Sequence, residues 1–178
     1  MLALQAILLE SGIPKSSILF EAGGLRRDKT RPRDVVVLDF FGLDRHLVVD
    51  VVLSIVYRNT ILDVASTVPS HAAKLAEDRK FATDKVSCTP VSSVHGGDHV
   101  LVPFSMEDGG RFGAHALALL KILAERAVSS HLFVSGTGEL PGPPAMQVSL
   151  WVQRWQSRLS ACLVTSDSVS TPASFVPP

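Results

Sequence analysis

Two aspartates, Asp34 and Asp50, sit at the same parity beside and within two neighbouring runs rich in β-branched and aromatic residues, Val35 to Phe41 and Leu47 to Val56. Runs of this kind read as strands. Gly42, Asp44 and Arg45 between them read as the turn of a hairpin. If the turn centres on Gly42, paired positions sum to an even number. Asp34 and Asp50 then face each other on one side of the sheet. Directly opposed Cβ atoms lie about 4.5–5.5 Å apart. Carboxylates that close repel unless a proton or a cation lies between them. Mg²⁺, or Mn²⁺ in its place, suits such a pair, because a hard cation takes carboxylate oxygens and keeps several waters. An ion held there can activate water and stabilise the charge that develops on a phosphodiester. A slip of one residue in register would send the aspartates to opposite faces.

Other polar groups follow the hairpin. Lys74, Glu77 and Lys80 recur at i, i+3 spacing and are neighbours on one helix surface. A lysine there could orient a nucleophile or stabilise developing negative charge; an ordinary solvated face with internal ion pairs explains the same spacing. Upstream, residues 21–33 read as a polar loop holding Arg26, Arg27, Lys29, Arg31 and Arg33, the one dense basic cluster of the chain. It is either a solvated loop or a phosphate contact. His95-Gly-Gly-Asp98-His99 lacks the further histidine or cysteine pair that a zinc site needs. Gly109-Gly-Arg-Phe-Gly113 lacks the Gly-Lys-Ser/Thr ending of a P-loop and reads as a strand-to-helix turn. No Gly-x-Ser-x-Gly elbow is present. Trp151 and Trp155 share a helical face, where packing on the core or a partner surface would use them.

The elements that must position these groups can be read from periodicity. Residues 1–12 suggest a short helix stopped by Gly12 and Pro14. In the second strand, Leu47, Val49, Val51, Leu53 and Ile55 form one apolar face, expected in the core, and His46, Val48, Asp50, Val52 and Ser54 form the other. A helix is expected from about Val68 to Asp84, with Ser66 or Thr67 as its cap and Pro69 in its first turn. A third strand runs from His99 to Phe104. A second long helix runs from Ala114 to Ser130, with a stripe of Leu117, Leu120, Leu123, Ala124 and Ala127. The expected fold class is α/β, a small mixed β-sheet with a central hairpin flanked by helices. Residues 1–134 form that domain, 135–146 a Gly/Pro linker, 147–164 a C-terminal amphipathic helix, and 165–178 a disordered Ser/Thr/Pro tail.

Composition bounds the possibilities. The 178 residues are 46% hydrophobic and 19% charged, which suits one globular domain. Seventeen basic and seventeen acidic residues cancel, so net charge gives nucleic-acid binding no support beyond the local basic cluster. Cys88 and Cys162 make neither a disulfide framework nor a zinc site, and a reduced intracellular setting is the simpler reading. Composition does not separate nucleus from cytoplasm. Met1 to Leu9 lacks the basic flank of a signal peptide, and no run is long enough to span a membrane.

The order of motifs resembles a known family. The run from Arg31-Pro32-Arg33-Asp34 through Asp50 leads to Glu77 with Lys80-Phe81, then to Pro103-Phe104, Glu107, Gly109-Gly110 and the helix from Ala114. Glu21 with Gly24-Leu25 fits upstream. Across roughly residues 18–130 the chain resembles the restriction-endonuclease-like domain downstream of reverse transcriptase in some non-LTR retrotransposons. The resemblance implies a PD-(D/E)XK-type fold and metal-dependent cleavage of DNA, with Asp34 and Asp50 as metal ligands; on that reading Arg31 and Arg33 of the basic cluster touch phosphates. The family's usual lysine, two residues after the second acid, is Val52 here. The resemblance therefore implies a helix lysine in its place, Lys80 as the better match and Lys74 as the alternative. Reverse transcriptase motifs and zinc-knuckle cysteines are absent from the sequence, so the chain looks like a fragment or a domesticated remnant. The alternative function is a catalytically inactive nucleic-acid or protein interaction module. A third is an unrelated α/β binding domain with structural aspartates.

Overall fold

The computed structural model describes residues 2–22, 33–56, 61, 64, 67–87, 98–130 and 143–167. Arg31, the centre of the basic cluster, Ser66, His95, the stretch 135–142 and the tail from 168 lie outside the described residues. Among the described residues, helices and strands follow in the order α1 (Leu2–Glu10), β1 (Ile18–Ala22), β2 (Arg33–Val37), β3 (Arg45–Ser54), α2 (His71–Ser87), β4 (Asp98–Glu107), α3 (Ala114–Ser129) and α4 (Pro144–Asp167). The strands form one mixed sheet in the order β1-β2-β3-β4. The first three are antiparallel, and β4 joins β3 in parallel. Parallel neighbours need a crossover, and α2 lies within it. No helix among the described residues is long and apolar enough to cross a membrane.

The hairpin register is symmetric about Gly42, with Val35 opposite Val49, Val36 opposite Val48 and Val37 opposite Leu47. The first strand is shorter than its apolar run suggests. It ends at Val37, and residues 38–44 form the turn. Asp39, Gly42, Leu43 and Asp44 all take positive φ there, a conformation glycine and aspartate adopt at least cost. Asp39 closes the turn by accepting the Asp44 N–H at 3.1 Å. Strand β1 was not expected, because the Ile-Leu-Phe run before Glu21 is too short to separate strand from helix by period.

The main core lies on the sheet face that carries Val35, Val37, Leu47, Val49, Phe104 and Met106, covered by α1, α3 and α4. Helix α3 buries Ala116, Leu119, Leu120, Leu123, Ala124 and Ala127. Leu117, expected in that stripe, is exposed, because the buried arc is centred one position away. Trp151 and Trp155 of α4 are both in the core. A side chain the size of Trp151 buries some 150–250 Å², worth about 4–6 kcal/mol. Its indole N–H has no hydrogen-bond partner among the described residues. Glu10 fastens α4 to the end of α1. It accepts two bonds from Arg154, at 3.0 and 2.9 Å, and one from the Trp155 N–H at 3.1 Å.

Strand β3 departs from the expectation that the face of Leu47, Val49, Val51, Leu53 and Ile55 lies wholly in the core. Leu47 and Val49 are fully buried, but Val51, Leu53 and Ile55 are 41%, 51% and 49% exposed. Conversely His46, Val48 and Asp50 on the other face are buried. The strand pairing of β2 reaches only as far as Val49, so among the described residues no strand pairs with the far half of β3 on that side, where Val51 N–H meets the Asp34 side chain instead. Helix α2 covers the opposite face, which buries His46, Val48 and Asp50 there.

Candidate functional site

The ladder between β2 and β3, continued one residue beyond Val35 and Val49, sets Asp34 against Asp50. The two carboxyl groups are near enough for Asp50 to disfavour the charged form of Asp34. Asp34 Oδ2 also accepts the Val51 N–H at 2.6 Å, just past the last backbone-paired positions of β2 and β3. Burial pushes the Asp34 carboxyl above the usual carboxylate value; the Val51 N–H pulls it down, the charge of Asp50 pushes it up, and Lys80 pulls it down.

The third member comes from α2. Lys80 Nζ donates to Asp50 Oδ2 at 2.7 Å, with the side chains 30% and 9% exposed respectively. Lys74 does not take part. It pairs with Asp78 one turn along the helix at 2.6 Å, and both are exposed. Of the two helix lysines that spacing left open, Lys80 is the one brought to the acids. The backbone of Arg33 opens β2 two residues before Val35. Asp34, Asp50 and Lys80 therefore converge on one sheet face, and Arg31 lies outside the described residues.

Beside this trio is a buried polar network that sequence reasoning did not assemble. Glu77, 1% exposed, accepts the Ser105 hydroxyl at 2.8 Å and the backbone N–H of His115 at 3.2 Å. Its other oxygen is 2.8 Å from His115 Nδ1, and the His115 ring meets Phe81 edge to face at 4.8 Å. Gly113, the N-cap of α3, supplies no side-chain cap, so the Glu77 carboxylate serves that helix from outside. Glu107 does the same for α2. Its Oε1 accepts the N–H groups of Ala72 and Ala73 at 3.0 and 3.3 Å. The helix begins at His71 rather than Val68, and Thr67, expected as its cap, instead donates to the Val64 carbonyl at 3.1 Å. A carboxylate at a helix N-terminus satisfies free N–H groups and complements the helix dipole. The signal available in the sequence was a long helix opening on glycine without a Ser, Thr, Asp or Asn cap.

Chemically, the trio is a pair of hard oxygen donors with a lysine ammonium on one of them. Among the described residues no group of three or more His, Cys, Asp or Glu side chains stands ready to hold a metal. Two carboxylates are nevertheless a common protein contribution to Mg²⁺, which retains several waters. No protein-family model, curated protein or solved structure matches this chain.

Proposed function

We propose that this chain is an endonuclease-like domain that hydrolyses phosphodiester bonds of DNA with Mg²⁺, or Mn²⁺ in its place. On this reading it has a restriction-endonuclease-like, PD-(D/E)XK-type architecture derived from the domain that follows reverse transcriptase in non-LTR retrotransposons. The observation that carries the reading is the convergence of Asp34, Asp50 and Lys80, three groups from three separate elements, with Lys80 Nζ 2.7 Å from Asp50. Val52, where the family's lysine would stand, is compensated by an ammonium arriving from the helix.

Asp34 and Asp50 would hold the metal, which when bound supplies Lewis acidity and a water more easily deprotonated. The Val51 N–H fixes the Asp34 carboxyl. Lys80 tempers the charge of Asp50 and stands near enough to stabilise negative charge gathering on phosphate oxygens. Arg31 and Arg33 would bind backbone phosphates, which positions a duplex without reading its sequence.

The test is nicking of supercoiled plasmid in Mg²⁺ or Mn²⁺. Wild type should convert plasmid to the open form, and Asp50→Ala should not. One observation favours the competing reading of an inactive interaction module: the Asp50 side chain is only 9% exposed and already neutralised. Identical traces from wild type and Asp50→Ala would select that module.

A further inference from the structure

Among the described side chains of α2, the buried ones are Ala72, Ala73 and Glu77, two small residues and one carboxylate, with Leu75 packed against Ile61 and Ala72. The helix is also held at two polar points. Glu107 takes the first-turn N–H groups. Glu77 locks onto Ser105 of β4 and onto His115 at the start of α3. Lys80 follows Glu77 by three residues, so their Cβ atoms are about 5–6 Å apart on one surface. Ser105 lies two residues beyond Pro103, the β4 partner of Asp50. The lock and the ammonium contact are therefore one strand repeat and less than one helical turn apart. Gly113 leaves the space for the lock, since a Cβ there would collide with Glu77 Oε1 and Ser105 Oγ.

We propose that Glu77 is a positioning residue for Lys80: by fixing α2 against β4 and the start of α3, it sets where the Lys80 ammonium meets Asp50. The proposal rests on the nuclease reading for the role of Lys80, but the geometry it asserts can be read without catalysis. If Glu77 served only to cap α3, its loss would lower activity independently of Lys80.

A double-mutant cycle separates these. Glu77→Ala should reduce nicking about 100-fold, as a misplacement of about 1 Å can. Glu77→Gln keeps an acceptor for Ser105 and the His115 N–H and should return to within several-fold of wild type. In a Lys80→Met background, Glu77→Ala should add less than about a twofold loss, because residues acting as one unit are non-additive. The second readout is the ¹⁵N-labelled Lys80 ammonium by NMR, without metal or DNA. Its ion-paired signal should persist in wild type and Glu77→Gln and vanish in Glu77→Ala. If Glu77→Ala fails to fold by circular dichroism, Ser105→Ala and His115→Ala carry the same cycle. Multiplicative losses in the Lys80→Met background, or an unchanged ammonium signal in Glu77→Ala, would overturn the proposal. If wild type and Asp50→Ala nick alike, the nuclease reading falls, and the ammonium signal still decides whether Glu77 positions Lys80.

Discussion

Lys80→Met isolates the energy of the contact at the centre of the site. It keeps most of the aliphatic stem and deletes the charge. At the observed 2.7 Å, the Coulomb attraction at an effective dielectric of about 20 is about 6 kcal/mol. Desolvation of both ions offsets much of that. The pair is neither a surface bridge, worth about 0–1 kcal/mol, nor a fully buried one, whose disruption costs about 3–5 kcal/mol. With side chains 30% and 9% exposed, a net loss of about 1–3 kcal/mol follows. Urea unfolding at neutral pH of wild type, Lys80→Met, Asp50→Asn and the double variant measures it. The coupling should be about 1–2 kcal/mol, because Asp50→Asn removes the charge that Lys80→Met leaves stranded. On the metal reading, Mg²⁺ should also raise the midpoint of Lys80→Met more than that of wild type, by restoring positive charge between the acids. A loss below about 0.5 kcal/mol with no coupling would refute an ion pair of this strength.

Asp34→Asn tests the raised carboxyl. The native state holds its proton more tightly than the unfolded chain, so the stability this group contributes is present below the ordinary value of 3.8. It is lost as pH rises from there through the raised native value. Asparagine keeps a carbonyl for the Val51 N–H and has no such dependence. Denaturation midpoints from acid to neutral pH should therefore show Asp34→Asn gaining on wild type across that window and then holding level; a gap constant with pH would count against it. Gly113→Ala has an ordinary φ of −70°, so any cost must come from collision with Glu77 and Ser105. Thermal melts should show a loss of about 2–3 kcal/mol. A variant as stable as wild type would show that Glu77 does not need the space Gly113 leaves.

The hairpin was the part most legible from sequence. A turn signal at Gly42 and two flanking β-rich runs are local features, and they sufficed to give a register in which Asp34 and Asp50 share a face. The burial of β3 was not legible, because it depends on how far β2 extends and on which face a helix covers. Leu53 and Ile55 look like core residues by type and are half exposed. The choice between Lys74 and Lys80 turned on the rotation of α2 about its own axis, which the spacing of polar residues does not set. Glu77 and Glu107 were hardest. Charged residues usually signal a solvated surface, and both are 1% exposed because each answers free N–H groups on an element distant in sequence. The position of Lys80 thus depends on contacts no local pattern records.

The parallel seam between β3 and β4 also orders events in time. The hairpin joins Val37 to Leu47, whereas the seam joins Arg45 to Asp98 across the whole α2 segment. A hairpin closes in about 1–10 μs, while long-range closure must first overcome the entropy of the intervening chain. The two aspartates are consequently brought together before the lysine that answers them can arrive. Until then the repulsion between the two carboxyls can be eased only by whatever proton or cation the solution offers. The counter-charge is thus among the last parts of the domain to be delivered, and the acid pair works against the very step that creates it.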